Sequence, residues 1–137
     1  MKLILIIPFY IQAAPLNDFN LEVFNKENEV VSLDQYKGKK VYINFWASWC
    51  LSCIKELPEL EELKLKYPEV VFLAINAGEK PSKIKRFLRK YKFSFKILLD
   101  KERKYSKGIG VFSLPQSIVI DGSKEILYRG AIPPEKL

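Results

Sequence analysis

The chain has no histidine, one methionine, two cysteines and four arginines, Arg86, Arg89, Arg103 and Arg129. Each shortage excludes something. Structural zinc takes four nitrogen or sulfur ligands, so two cysteines without histidine cannot close a zinc site within one chain, and no metal is expected. Ile54 follows the second cysteine, so the chain is not itself a haem-attachment Cys-x-x-Cys-His protein. No compact Arg/Lys run supports nucleic-acid binding beyond the overall charge. Long apolar runs are absent too. The one at residues 3–11 is broken by Pro8 and falls short of the roughly 20 residues that span a bilayer.

What is present suits one globular domain. The 137 residues are 48% hydrophobic and 28% charged, enough for a single core and too apolar for a disordered chain. The formal net charge of +7 is mostly lysine and reads as a mildly basic, solvated surface. Residues 1–14 carry one lysine, an apolar stretch and then Ala13 and Ala14. They read as a secretory signal cut near Ala13 or Ala14, or as a short anchor, rather than as the N-terminal β-strand of a cytosolic protein, because the run lacks the polar alternation of a half-buried strand. Residues 15–137 are then the domain.

Apolar alternation over 19–24 and 30–33, around a polar turn, predicts an N-terminal β-hairpin. Val41–Trp46 is apolar on both faces except for Asn44, the pattern of a strand covered on both sides. An amphipathic stretch with Leu57, Leu60 and Leu63 on one stripe predicts a helix to about Tyr67, bent at Pro58. Residues 70–75 read as a second buried parallel strand. Pro81 opens a helix with Ile84, Phe87, Leu88 and Tyr91 on its apolar stripe. Its cationic opposite side reads as a solvated face rather than a docking surface. A short strand at 95–99, a short helix at 101–107 ended by Gly108, and two strands at 116–120 and 124–129 follow. Asp121-Gly122 joins those last two. The order β-β-β-α-β-α-β-α-β-β predicts an α/β sandwich around a mixed sheet.

Both cysteines fall where the strand Val41–Trp46 gives way to a helix. Unpaired N–H groups and a partial positive charge at a helix N-terminus favour thiolate over thiol. Cys53 lies one turn after Cys50, within disulfide reach. An inert disulfide is the plain alternative. A four-residue loop, however, constrains the unfolded chain by only about 2 kcal/mol, against ~3 for fifteen residues, so the pair makes a poor staple.

The run Asn44-Phe45-Trp46-Ala47-Ser48-Trp49-Cys50-x-x-Cys53-x-x-Glu56-x-Pro58, with Leu114-Pro115 before Ile118-Val119-Ile120-Asp121, resembles the thioredoxin superfamily. The likeness is closest to its extracytoplasmic TlpA/ResA/CcmG-like branch and covers about 18–130. It implies a thioredoxin-like fold. It makes Cys50 the attacking nucleophile and Cys53 the resolving thiol of a redox-active disulfide. It also implies a substrate groove shaped by Trp49, Leu114 and a cis-Pro115, with no cofactor. Glu56 matches an acidic residue that handles the Cys53 proton, with an exposed helix carboxylate as the equal alternative. Asn44 stands where cytosolic thioredoxins carry a buried Asp.

Three departures accompany the resemblance: Ser52 in place of proline, Gln116 in place of threonine, and the family's final helix missing beyond Leu137. The last would leave one face of the sheet uncovered. The implied function is a monomeric thiol–disulfide oxidoreductase, periplasmic or otherwise extracytoplasmic, with membrane association left open. Its expected substrate is a protein disulfide such as that of apocytochrome c, and its electron donor a membrane thiol protein of the CcdA/DsbD type. The rivals are a disulfide oxidase, a general extracytoplasmic reductase, and a redox-inert binding module of the same fold.

Overall fold

The computed structural model describes residues 15–137; the expected signal or anchor at 1–14 lies outside them. Among these residues seven strands form one sheet: β1 (Asn20–Val23), β2 (Val30–Ser32), β3 (Val41–Trp46), β4 (Val71–Asn76), β5 (Lys96–Leu99), β6 (Gln116–Ile120) and β7 (Ile126–Gly130). Three α-helices accompany them: α1 (Leu51–Lys66), α2 (Pro81–Lys90) and α3 (Lys104–Gly108). The sheet order is β2-β1-β5-β4-β3-β6-β7. The pairs β3–β4 and β4–β5 are parallel, each joined through the helical crossover that parallel neighbours need, and the remaining pairs are antiparallel. Among the described residues, no helix is long and apolar enough to cross a membrane.

Strand β3 is the axis of the molecule, and strand alternation divides its side chains between two cores. Tyr42 and Trp46 join Leu57, Leu60, Ile84 and Phe87 under α1 and α2. Val41, Ile43 and Phe45 join Leu16, Phe19, Leu33 and Val111 on the other face. The expected uncovered face is therefore not found over the central strands, where every residue of β3 is 1% exposed or less. On one face the segment before β1, the 3₁₀ turn Leu33–Tyr36 and α3 close the core. On the other, buried Pro133 and half-buried Leu137 fold back without forming a helix. At the β7 edge and beyond, Leu127 and Ile132 are exposed.

Two local expectations need correction. The short helix at 101–107 is split: a 3₁₀ turn (Lys101–Arg103) precedes α3, with Glu102 and Arg103 at positive φ. Buried Asp100 causes the break, because its carboxylate accepts the N–H groups of Tyr105 and Ser106 at 2.9 and 3.0 Å and so starts a new helix there. The β6–β7 connection is also longer than a two-residue Asp-Gly turn. Asp121 accepts N–H bonds from Ser123 and Glu125, and Lys124, not Gly122, takes the left-handed conformation. Gly122 serves a close approach instead: a Cβ there would lie 2.8 Å from the backbone of Gly38.

Candidate active site

Strand β3 delivers the chain to the end of the sheet, where Ala47-Ser48-Trp49 turns it into α1. Cys50 is the N-cap of α1, with extended backbone (φ −87°, ψ 105°), and its Sγ accepts the N–H of Cys53 at 3.2 Å. The two cysteines are joined as a disulfide, with Cα atoms 5.2 Å apart. Both residues are buried, Cys50 at 6% exposure and Cys53 at 2%, so Cys50 is the more accessible of the two. Exposed Trp49 and Leu51 flank it with apolar surface at 67% and 64% exposure. A sulfur at a helix N-cap is favoured as thiolate by the N–H groups around it, which is what a nucleophilic or leaving sulfur needs.

One turn beyond Cys53, Glu56 points inward from α1 and is 8% exposed. Asn44 of β3 donates from Nδ2 to Glu56 Oε1 at 3.0 Å. Strand alternation places Asn44 on the face that meets α1, so the two residues share one buried position between strand and helix. Burial is the largest influence on Glu56 and pushes its carboxyl up to about 7. The Asn44 bond opposes that shift, and the nearby Glu59 charge adds to it. The exposed-carboxylate alternative is thus removed. A buried group titrating near neutrality can hold or release a proton at little cost.

The peptide bond between Leu114 and Pro115 is cis. Antiparallel pairing sets Gln116 opposite Phe45, so Pro115 arrives at the end of β3 from which Cys50 departs. Pro115 is buried, and half-buried Leu114 packs against both cores. Trp49, Cys50, Cys53, Glu56, Leu114 and Pro115 therefore gather at one end of the sheet.

Sequence reasoning missed a further group at this end. Glu79, in the β4–α2 loop, accepts the backbone N–H of Ser48 at 2.8 Å and also bonds the Ser48 hydroxyl. Asn76, fully buried at the end of β4, donates from Nδ2 to Glu79 at 2.7 Å and accepts the Glu79 N–H at 3.0 Å. This clamp ties the loop entering Cys50 to the neighbouring parallel strand. The available signal was its place just past the C-terminal end of a parallel strand, where sites on such sheets collect.

Comparison with known proteins matches this arrangement to one family. The family described as Redoxin matches residues 12–136. Thiol-disulfide oxidoreductase ResA of Bacillus thuringiensis subsp. konkukian is 36% identical over 112 residues, covering 80% of this chain and 65% of the relative. The chain thus spans just under two thirds of the curated relatives it matches. Among solved structures, StoA from Bacillus subtilis is 27% identical with a TM-score of 0.71, over 89% of this chain and 92% of its own. The pneumococcal exposed lipoprotein thioredoxin Etrx1, from Streptococcus pneumoniae, is 27% identical with a TM-score of 0.73, over 87% and 92%. The fold is thioredoxin-like, a mixed sheet flanked by helices.

Proposed function

The chain belongs to the redoxin family, and on that premise we propose that it is a thiol–disulfide oxidoreductase working through Cys50 and Cys53. The observation that carries the reading is the placement of this disulfide at the α1 N-cap, one turn from a buried carboxyl whose pKa is pushed up to about 7. The name of the Bacillus relative supports the reaction class.

In the reducing direction the Cys50 thiolate attacks one sulfur of a substrate disulfide. A mixed disulfide forms and the other substrate sulfur leaves as thiolate. Glu56 accepts the Cys53 proton, and the Cys53 thiolate attacks Cys50 Sγ. The bond to the substrate breaks, and its second sulfur departs with the electron pair. Substrate gains two electrons and two protons, one of which Glu56 can return, and the Cys50–Cys53 disulfide is left. Trp49, Leu114 and Pro115 form the groove along which an extended substrate chain lies.

We take the physiological direction as reduction of protein disulfides outside the cytoplasm, with the cysteine pair of apocytochrome c as substrate and a membrane thiol protein of the CcdA/DsbD type as donor. Support comes from the resemblance to the TlpA/ResA/CcmG-like branch and from a structural neighbour named as an exposed lipoprotein.

Cys50→Ser should abolish insulin disulfide reduction, whereas Cys53→Ser should accumulate a covalent mixed disulfide visible on non-reducing gels. Retention of full activity by Cys50→Ser would remove Cys50 as the nucleophile, and no insulin reduction by the unmodified chain would reduce the protein to a binding module. The reduction potential separates the directions. A value close to the thioredoxin end, about −270 mV, supports a reductase, and one near −120 mV makes the protein an oxidase.

A further inference from the structure

The chain's charge is not spread over its surface. Lys83, Lys85, Arg86, Arg89 and Lys90 lie on α2, with Lys80 just before it and Lys92 just after. No Asp or Glu occurs between Lys80 and Lys92, and these seven cations equal the whole formal net charge of +7. Elsewhere the basic and acidic residues cancel.

All seven are exposed, and among the described residues none pairs with a carboxylate. Lys90 lies over the ring of Tyr91, 5.3 Å from its centroid. Helix stability accounts for only two of these cations, Arg89 and Lys90 in the last turn of α2, where the dipole favours them. Like charges three and four residues apart, such as Arg86 with Arg89 and Lys90, repel. The first turn of α2 also lacks the acidic residue that its dipole favours. A surface kept for solubility alone mixes both signs.

The shape of the cationic face indicates what it meets. Ile84 and Phe87 are buried in the core, so the helix has no apolar side free to insert into a partner. At 100° per residue the five cations on α2 spread over most of its outer half, with Lys80 and Lys92 at its two ends. Lys80 and Lys92 border recesses that carboxylates also line, Glu79 and Asp100 beside Lys80 and Glu61 beside Lys92, and the five cations on α2 line neither. Five of the seven are lysines, point charges on flexible stems rather than the planar forks that read one carboxylate or phosphate. A broad, lysine-rich face fits an anion that is itself broad and laterally mobile.

We propose that the outer face of α2 docks this protein on an anionic lipid surface by electrostatics alone. The sequence reading of a merely solvated face does not account for charge of one sign gathered in thirteen residues. Glu79, which holds the Ser48 loop, directly precedes Lys80, so a molecule lying on α2 keeps its Cys50 loop beside the lipid surface.

The test is co-sedimentation of the full chain with phosphatidylcholine vesicles, with and without phosphatidylglycerol, at ~0.01 M and ~1 M salt. Binding should require phosphatidylglycerol and vanish at high salt. The variant Lys83→Glu/Arg86→Glu/Arg89→Glu should lose roughly a hundredfold in vesicle affinity. A control with the same charge change elsewhere, Lys37→Glu/Lys39→Glu/Lys104→Glu, should stay within about threefold of the unmodified chain. Unchanged thermal unfolding by circular dichroism shows that both variants fold, and vesicle binding is read independently of redox activity.

Several outcomes overturn the proposal. These are equal binding to neutral vesicles, equal loss in both variants, or no vesicle binding together with α2-dependent retention on an acidic polypeptide or a nucleic acid. The last would assign the face to that partner instead.

Discussion

Glu56 is held by two opposing influences: burial raises its pKa from 4.5 to about 7, and the Asn44 amide stabilises its charged form. The folded chain therefore binds more protons at this site than the unfolded chain across that interval. Its contribution to stability is fully present below pH 4.5 and is lost as pH rises through about 7. Glu56→Gln removes this dependence. Urea unfolding at acid and mildly alkaline pH should show a wild-type decline, at most about 3 kcal/mol from this group, that the variant lacks. In turnover, the wild-type pH–rate profile should bend near pH 7, where Glu56 changes charge, and the bend should be absent in Glu56→Gln. A profile unchanged by the substitution would remove Glu56 from the proton path. Asn44 and Glu56 were each noticed as sequence positions, but their contact was not, because strand and helix meet twelve residues apart through packing alone.

At the scale of elements, the site depends on connections between ends of strands. Glu79→Ala strips the acceptor from the Ser48 N–H and from the fully buried Asn76 amide. Leaving buried donors unpaired costs about 1–3 kcal/mol. The loss should appear as a lower denaturation midpoint and as faster amide hydrogen exchange at Ser48 and Trp49. A drop in stability with unchanged exchange in this loop would make Glu79 a general structural residue and not a clamp on the cysteine loop. The β6–β7 loop offers a second case. Gly122→Ala places a methyl group 2.8 Å from the Gly38 backbone, where no flexible side chain can yield. A destabilisation of about 1–3 kcal/mol is expected, the range for overpacking, and thermal unfolding measures it. The hairpin was visible in Asp121-Gly122, but the reason for the glycine was not. Its neighbour Gly38 belongs to a different loop, linked through the Gly38 N–H to the Gly122 carbonyl.

Across the whole molecule, two cores share the single strand β3, and the redox pair sits where that strand leaves the sheet. Periodicity and local chemistry along the chain were enough to determine the strands and helices and their order. They also determined the strand–loop–helix setting of Cys50 and Cys53, because α1 and β3 adjoin the cysteines in sequence. Only the tertiary structure decided how the remaining parts assemble. Pairing of β6 with β3 brings Pro115 to the cysteine end, and parallel pairing of β4 brings Asn76 and Glu79 beside Ser48. Packing of α1 on β3 buries Glu56 against Asn44, and the end of the chain folds back without a helix. Asn44 and Glu56 are 12 positions apart and Ser48 and Glu79 are 31 apart, and the pairing of strands and packing of helices bring such residues together.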